Sequence, residues 1–246
     1  MTTIETTALR DRMAGQVVTP DDAGYDEARA IYNGMIDRRP AVIARCRSVA
    51  DVQAALDIGR RSGLPIAVRG GGHNGPGFGT VEGGLVIDLS EMNAVDVDPA
   101  ARTVRVQGGS TWNRVDAATH QHGLATPTGI VSTTGVGGLT LGGGHGYLSR
   151  KYGLTIDNLL AAEVVLPDGR VVTASETEHP DLFWALRGGG GNFGVVTSFE
   201  YRLHEVGPIV HLGLFFWGLD RGRDALRFSR DFVKTVPADM GAFIAG

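Results

Sequence analysis

Two glycine-rich segments constrain this chain more than any other feature of its sequence. The first runs from Arg69 to Gly75, and the second begins at Gly135 and continues to Gly146. Each segment adjoins an apolar stretch. Successive glycines let backbone N–H groups crowd against a phosphate without the steric clash that a Cβ atom would cause. The pattern therefore predicts a cradle for a diphosphate, built from the main-chain amides of two loops.

The overall composition supports a folded domain with many tight turns. Glycine accounts for 37 of the 246 residues, about twice its ordinary frequency. Hydrophobic residues nevertheless make up 42% of the chain and proline only 10 residues, so low complexity does not explain the glycines. The net charge is −4, and no cluster of Lys and Arg with interleaved aromatic residues is present. These properties argue against binding to nucleic acid.

The sequence offers no sign of membrane insertion or export. Its first residues are polar and charged, and no stretch approaches the roughly 20 apolar residues that span a bilayer. We therefore expect a cytoplasmic protein without a membrane partner. The single cysteine, Cys46, lies beside an apolar run and cannot form an internal disulfide bond, which favours a structural role. His120 and His122 lie near the end of a predicted helix, and no metal site is expected.

Local patterns predict a mixture of helices and strands. Ser48 and Asp51 indicate a helix start and Gly63 its end. Ser110 is expected to cap a second long helix, and residues 162–166 and 170–174 are expected to pair as a hairpin. Further helices are predicted at 25–37, at 181–186, where Phe183 and Trp184 are expected in the core, and around Ala225, Phe228 and Phe232. Further strands are predicted at 41–44, 65–68, 195–203 and 209–217, with another starting in 241–246. The strands predicted at 85–89, 95–97 and 104–106 are expected to form a meander.

The glycines do not form the fingerprint of a Rossmann fold. That fingerprint opens a helix whose first turn holds the pyrophosphate. Here the match at Gly70, Gly72 and Gly75 leads into a Pro-Gly turn, and the match ending at Gly194 leads into a strand. Loops rather than a helix start are therefore expected to hold the phosphates. Glycines that merely form turns in a β-rich fold are the alternative, but His73 within the first segment favours a nucleotide cradle.

Four ordered motifs resemble those of FAD-linked oxidases of the berberine bridge enzyme type, within the p-cresol methylhydroxylase and vanillyl-alcohol oxidase group. They are RGGGHN at 69–74, GVGGLTLGGGHGYLSRKYGLTIDN at 135–158, LPDGR at 166–170 and ALRGGGGNFGVVTSF at 185–199. The resemblance implies an α+β fold, with a two-subdomain FAD-binding domain of the p-cresol methylhydroxylase type and the beginning of a second α+β substrate domain. It implies a lead segment at 1–37, the FAD-binding domain at 38–207 and a truncated substrate domain at 208–246.

The resemblance also implies a set of cofactor-binding residues. His73 matches the histidine that is bonded to the 8α carbon of the flavin, and a turn histidine is the alternative for this residue. Val131 stands where doubly linked members carry a cysteine, so a single link is expected. Thr134 matches a position associated with oxygen access. The remaining positions are Arg69, Gly70, Gly71, Gly72, Asn74, Gly75, Gly135, Gly137, Gly138, Gly142, Gly143, His145, Gly146, Asp157, Asn158, Gly194 and Val195.

The implied function is an FAD-dependent oxidase that moves a hydride from a small alcohol, amine or sugar to the flavin, with molecular oxygen as acceptor. The catalytic base is expected outside these motifs, in the later part of the family's fold. Two other readings stay open. The chain could be an incomplete or non-catalytic flavin-binding fragment, or a module that binds a nucleotide or sugar nucleotide without redox chemistry.

Overall fold

The computed structural model describes residues 6–207 and 209–242. Its helices are α1 (Thr6–Arg12), α2 (Tyr25–Arg29), α3 (Val49–Ser62), α4 (Trp112–His120), α5 (Val136–Leu141), α6 (Ser149–Tyr152), α7 (Pro180–Leu186) and α8 (Gly222–Phe232). Its strands are β1 (Gln16–Val18), β2 (Val42–Arg45), β3 (Ile66–Arg69), β4 (Leu85–Asp88), β5 (Val95–Asp98), β6 (Thr103–Gln107), β7 (Leu124–Ala125), β8 (Leu159–Val165), β9 (Val171–Ser175), β10 (Val195–Arg202) and β11 (His204–Glu205).

The first sheet has the order β1-β2-β4-β3, in which β4 pairs in parallel with β2 and β3. Helix α3 covers it and buries Val52, Ala55 and Ile58 in a shared core. The helix begins where the Asp51 N–H donates to Ser48 Oγ at 3.2 Å. It ends at Gly63, whose φ of +63° places it in the left-handed region. The predicted helix and both of its boundaries are confirmed.

The second sheet has the order β5-β6-β10-β8-β9, and all of its pairings are antiparallel. Its central strand β10 buries Phe199 and Tyr201 against Trp112 of α4 in a second core. The predicted hairpin is formed by β8 and β9, with Val165 opposite Val171. A mixed sheet, in which β1 pairs antiparallel with β2, and a separate antiparallel sheet, both with helices against them, make up the expected α+β class.

Several sequence predictions are wrong because partners distant in sequence decide the local structure. Strand β4 joins the first sheet rather than a meander with β5 and β6. Ser110 does not cap α4: Thr111 precedes the helix without a side-chain cap, and the Ser110 carbonyl accepts the Val136 N–H at 2.9 Å. The second glycine segment contains α5 rather than loop alone. Trp184, expected in the core, is 78% exposed.

The C-terminal part of the described chain also differs from expectation. Residues 209–217 form no strand, and their apolar side chains are exposed, since the described residues provide no strand to pair with them. The amphipathic helix is present as α8. Arg150 donates to the carbonyls of Val233, Val236 and Met240, which connects this part to α6. The strand expected to start in 241–246 lies mostly outside the described residues, at 243–246.

A buried ion pair connects the N-terminal segment to the first sheet. Arg69 Nη2 lies 2.7 Å from Asp88 Oδ2, and both side chains are almost fully buried. The same guanidinium donates to the carbonyls of Ala28 at 2.7 Å and Ala30 at 3.4 Å. Because Arg69 occupies these carbonyls, α2 ends at Arg29, and the helix predicted to reach residue 37 is wrong in its second half.

We expect Arg69→Met to destabilise the protein by about 3 kcal/mol, the lower end of the range for a broken buried pair, because it leaves the buried Asp88 carboxylate with only Arg45, whose Nε lies 3.7 Å away. Urea unfolding measures this change. Arg12→Met is the matched control, since Arg12 pairs with Asp57 at 2.7 Å on the surface, and such exposed pairs contribute little. Equal effects of the two substitutions would contradict the structural role of the buried pair.

Candidate functional site

The two glycine segments meet backbone against backbone. A Cβ atom on Gly71 would lie 2.5 Å from the Cα of Gly135, and a Cβ on Gly135 would lie 2.7 Å from the Cα of Gly71. Both distances are too short for any side chain to fit. The two segments therefore meet at one junction, as a cradle formed by both of them requires.

A third glycine completes this junction. A Cβ on Gly70 would lie 3.0 Å from the carbonyl oxygen of Gly108, and one on Gly137 would lie 3.2 Å from the same atom. The second segment is held in place by a hydrogen bond from the Trp112 N–H to the Thr134 carbonyl at 3.0 Å. Gly108, which was not among the predicted site residues, is the backbone on which both segments rest.

Several backbone N–H groups at this junction have no hydrogen-bond acceptor among the described residues. The backbone N–H groups of residues 70–75 donate to no acceptor within 6–207 and 209–242, and neither do those of Gly137 and Gly138. Most buried or half-buried amides in a folded protein have a partner. Closely spaced free amides, with glycine Cα atoms that allow close approach, form a suitable cradle for the oxygens of a diphosphate. The residues present therefore fit the phosphates of a dinucleotide.

His73 lies half-buried beside this cradle. Its ring stacks on that of Tyr32, with centroids 4.0 Å apart and planes inclined by 17°. Its Nε2 atom is 3.1 Å from Thr133 Oγ1. Burial lowers the pKa of the imidazole below its ordinary value of 6.5, so the ring is neutral at pH 7. Asn74 next to it is exposed, and its Oδ1 accepts the Phe78 N–H at 2.9 Å.

The second half of the second glycine segment is packed into the protein. The Gly143 and Gly144 carbonyls accept hydrogen bonds from Ile156 and Thr155 at 3.1 and 3.0 Å. A Cβ on Gly146 would lie 2.8 Å from the carbonyl oxygen of Gly129. Gly142 donates to the Gly138 carbonyl at the end of α5, and His145 is exposed. These glycines thus shape the loop beneath the cradle.

Asn158, a predicted cofactor contact, has its side chain fully occupied inside the protein. Its amide donates to the carbonyls of Tyr152 and Leu154, both at 2.9 Å. Its Oδ1 is 2.6 Å from His204 Nε2, and the His204 ring stacks on Tyr152 at 4.0 Å. Burial, together with the charge of Arg202, lowers the pKa of His204. The Asn158 side chain therefore fixes the loop that carries it.

The remaining predicted positions lie just before β8 and at the start of the central strand β10 of the second sheet. Asp157 pairs with Arg187 at 3.4 Å. Gly194 has a φ of +149°, and a Cβ there would lie 2.6 Å from the Val165 carbonyl oxygen. Val195 is buried opposite Val165 at the start of β10. The contacts of Gly194 and Val195 with Val165 of β8 fix the backbone where the central strand β10 begins.

Two findings concern other kinds of site. Among the described residues, no group of three or more His, Cys, Asp or Glu side chains is arranged to hold a metal ion. Within the same residues, every helix is too short or too polar to cross a bilayer.

Comparison with known proteins finds a family and several oxidases that this chain resembles. Residues 40–175 match the family described as FAD binding domain. The (R)-6-hydroxynicotine oxidase of Paenarthrobacter nicotinovorans is 42% identical over 203 residues, which cover 82% of this chain and 44% of the relative. A chitooligosaccharide oxidase structure superposes with a TM-score of 0.83 at 33% identity, covering 94% of this chain and 50% of that one.

A further solved structure is a glucooligosaccharide oxidase from Acremonium strictum, whose FAD is 6-S-cysteinyl and 8α-N1-histidyl. It superposes with a TM-score of 0.75 at 38% identity, covering 80% of this chain and 43% of that one. The chain spans about half the length of the curated relatives it matches.

Sequence reasoning missed Tyr32, Thr133 and Gly108. Tyr32 stacks on His73 from a segment far upstream, so no local spacing signals the contact. Gly108 lies in a glycine-containing turn whose local sequence does not differ from the other turns of this chain. Thr133 lies directly before the predicted Thr134, and only the folded position of His73 distinguishes the two.

We expect Gly71→Ala to destabilise the protein by about 3 kcal/mol, the upper end of the range for overpacking, because backbone rather than a side chain must move. The free energy of unfolding and the amount of bound FAD measure the effect. Gly34→Ala is the control, since a Cβ at Gly34 meets no atom within 4 Å. If Gly71→Ala were as stable as Gly34→Ala and bound as much FAD, the close contact of the two segments would be wrong.

His73 is expected to titrate below the value for a solvated imidazole, because burial penalises its charged form. Its effect on folding is present above the unfolded pKa of about 6.5 and is lost as the pH falls through the folded pKa. A ¹H–¹³C NMR titration of flavin-free protein, compared with a peptide of residues 71–75, measures the difference. A midpoint at or above that of the peptide would refute it.

Proposed function

The chain belongs to the FAD-binding domain family, and we propose from this premise that it forms the FAD-binding part of an oxidase. The observation that carries the proposal is the contact of the two glycine segments around free main-chain amides. Relatives with oxidase names over most of the chain support it. These names argue against the alternative of a module that binds a nucleotide without redox chemistry.

We propose that the cradle of residues 69–75 and the segment from Thr134 to Gly138 hold the pyrophosphate and position the flavin. The Gly142–Gly146 loop, Asp157, Asn158, Gly194 and Val195 would support the cofactor from the second sheet. Bound FAD would supply a hydride acceptor that molecular oxygen can reoxidise. The protein's own part is to orient the cofactor, to exclude side chains from the phosphates and to keep His73 neutral.

We propose a covalent link through His73 alone. The histidyl link of the glucooligosaccharide oxidase supports this position by analogy. A second, cysteinyl link is chemically excluded, because Val131 carries no thiol and the only cysteine, Cys46, is fully buried in the first core. Burial also raises the pKa of the Cys46 thiol.

The proposed substrate is a small alcohol, amine or sugar, with molecular oxygen as electron acceptor. Relatives named as oxidases of 6-hydroxynicotine and of glucooligosaccharides span this range. Thr134, half-buried in the second glycine segment, is the proposed position for oxygen access. We further propose 38–207 as the FAD-binding domain, 208–246 as the start of the substrate domain, and the cytoplasm as the location.

One observation favours the alternative of a flavin-binding fragment that lacks its own catalytic pocket. Between residues 209 and 217, apolar side chains such as Leu212 and Phe216 are more than 80% exposed. Exposed apolar surface of this kind marks a region that another element normally covers. In this alternative the chain binds FAD but turns over no substrate.

We expect mass spectrometry of a tryptic digest to find FAD on the peptide that contains His73, and acid precipitation to leave the yellow colour on the protein. His73→Ala should bind FAD and release all of it on denaturation. If the unmodified protein also released all its FAD, the covalent assignment would be wrong. Hydrogen peroxide formation with a panel of alcohols, amines and sugars separates the oxidase from the fragment, which produces none.

A further inference from the structure

We propose that Tyr201 is a positioning residue for the phosphates of FAD, and that it acts through Thr140. The hydroxyl of Tyr201 holds α5 in place, and the first turn of α5 carries the Gly137 and Gly138 N–H groups of the cradle. The inference rests on the proposed function and adds a residue outside the glycine segments that controls the affinity of the cradle for a diphosphate.

Helix α5 depends on the rest of the protein for its position. It has only six residues, and two of them, Gly137 and Gly138, disfavour a helix. The residue before it, Gly135, has no side chain that could cap its first turn. Helices this short are marginal in water and owe their stability to tertiary packing. The orientation of the cradle amides on α5 therefore depends on the contacts that other elements make with this helix.

Thr140 carries the only polar side chain of α5. Its Oγ1 lies 2.6 Å from the Tyr201 hydroxyl, and both residues are fully buried. A buried hydroxyl that loses its hydrogen bond is costly, so each of the two hydroxyl groups depends on the other. Burial also raises the pKa of the Tyr201 phenol, so the phenol stays protonated at neutral pH and the hydrogen bond is kept.

Tyr201 is a rigid anchor for this hydrogen bond. It lies in the central strand β10, opposite Val104 of β6 and Leu159 of β8. Its ring packs against that of Trp112, with centroids 5.7 Å apart, and against that of Phe199, with centroids 5.9 Å apart. Neither the main chain nor the ring of Tyr201 can therefore move without disrupting the second core.

Helix α5 contacts the buried face of β10 at two points. Phe199 and Tyr201 are two residues apart and lie on the same face of the strand. Gly137 and Thr140 are three residues apart and lie on one face of the helix. A Cβ on Gly137 would lie 3.7 Å from the Phe199 ring, so that ring packs beneath Gly137, one turn away from the Thr140 hydrogen bond. These two contacts restrict the rotation of α5 about its own axis, and thus the direction of the Gly137 and Gly138 N–H groups.

Loss of the Tyr201 hydroxyl has a specific consequence for the cradle. The freed Thr140 hydroxyl can bond to the carbonyl of Val136, four residues earlier in the helix, and such bonds bend helices. Val136 directly precedes Gly137, so the bend falls in the turn that carries the cradle amides. We therefore expect the geometry of the phosphate site to change although no residue of that site has been replaced.

A His73→Ala background makes FAD binding reversible, and the change in FAD fluorescence then measures the dissociation constant of each full-chain variant. We expect Tyr201→Phe and Thr140→Val to bind FAD about tenfold more weakly, the effect of one net hydrogen bond on an equilibrium. Thr140→Ser keeps the hydroxyl and should stay within about twofold. Thr119→Val is the matched control, because Thr119 is also buried but donates to the Val115 carbonyl within α4 at 3.0 Å. This control should lose similar stability in urea and keep its affinity for FAD.

The ³¹P NMR spectrum of bound FAD separates positioning from folding. At saturating FAD, Tyr201→Phe should shift the two pyrophosphate resonances, whereas Thr119→Val should leave them unchanged. If Tyr201→Phe and Thr140→Val bind FAD as tightly as their parent, if the resonances do not shift, or if Thr119→Val weakens binding equally, the inference is wrong. If neither the unmodified protein nor the His73→Ala parent binds FAD, the proposed function fails, and the inference fails with it.

Discussion

The contact between Gly71 and Gly135 determines how the two halves of the molecule meet. Gly71 follows β3 of the first sheet, and Gly135 precedes α5, which packs on the second sheet. No side chain separates them, so main-chain atoms alone set the spacing of the two subdomains at this point. The atoms that face each other across the contact are the amide N and Cα atoms of Gly71 and Gly135. The N–H groups of Gly137 and Gly138 at the same junction have no acceptor among the described residues and can serve a bound anion.

From this junction a continuous set of contacts leads to the histidine. Asp88 holds Arg69, and Arg69 holds the carbonyls that end α2. The segment after α2 then brings Tyr32 onto His73. On the other side, Thr133 reaches His73 from the second glycine segment. A buried charge pair and an exposed aromatic ring thus act on the same imidazole, although they lie far apart in sequence.

Local signals predicted the elements whose determinants are local. Helix α3 carries its own cap and its own glycine stop, and the β8–β9 hairpin carries its own turn. The failures share one physical cause, which is a partner supplied from elsewhere. Arg69 ends α2 by taking its carbonyls, and Gly108 and Ser110 support a short helix at Val136 although glycine is a poor helix former. The strand-like run at 209–217 has no strand to pair with in the described residues. The glycine segments and His73 could be predicted from the sequence as a candidate site. The contact of Tyr32 with His73 could not, because stacking between residues far apart in sequence produces no periodic pattern.

The burial of Cys46 has a consequence for the proposed oxidase reaction, which would produce hydrogen peroxide. A thiol reacts with hydrogen peroxide as the thiolate, and reaction requires access. Cys46 lies within the first core with no exposed surface, and its raised pKa keeps it protonated. The chain has no other cysteine. Hydrogen peroxide released by the proposed reaction would therefore not oxidise Cys46 to a sulfenic acid, and no mixed disulfide would follow. The protein would need no reducing partner to restore this cysteine.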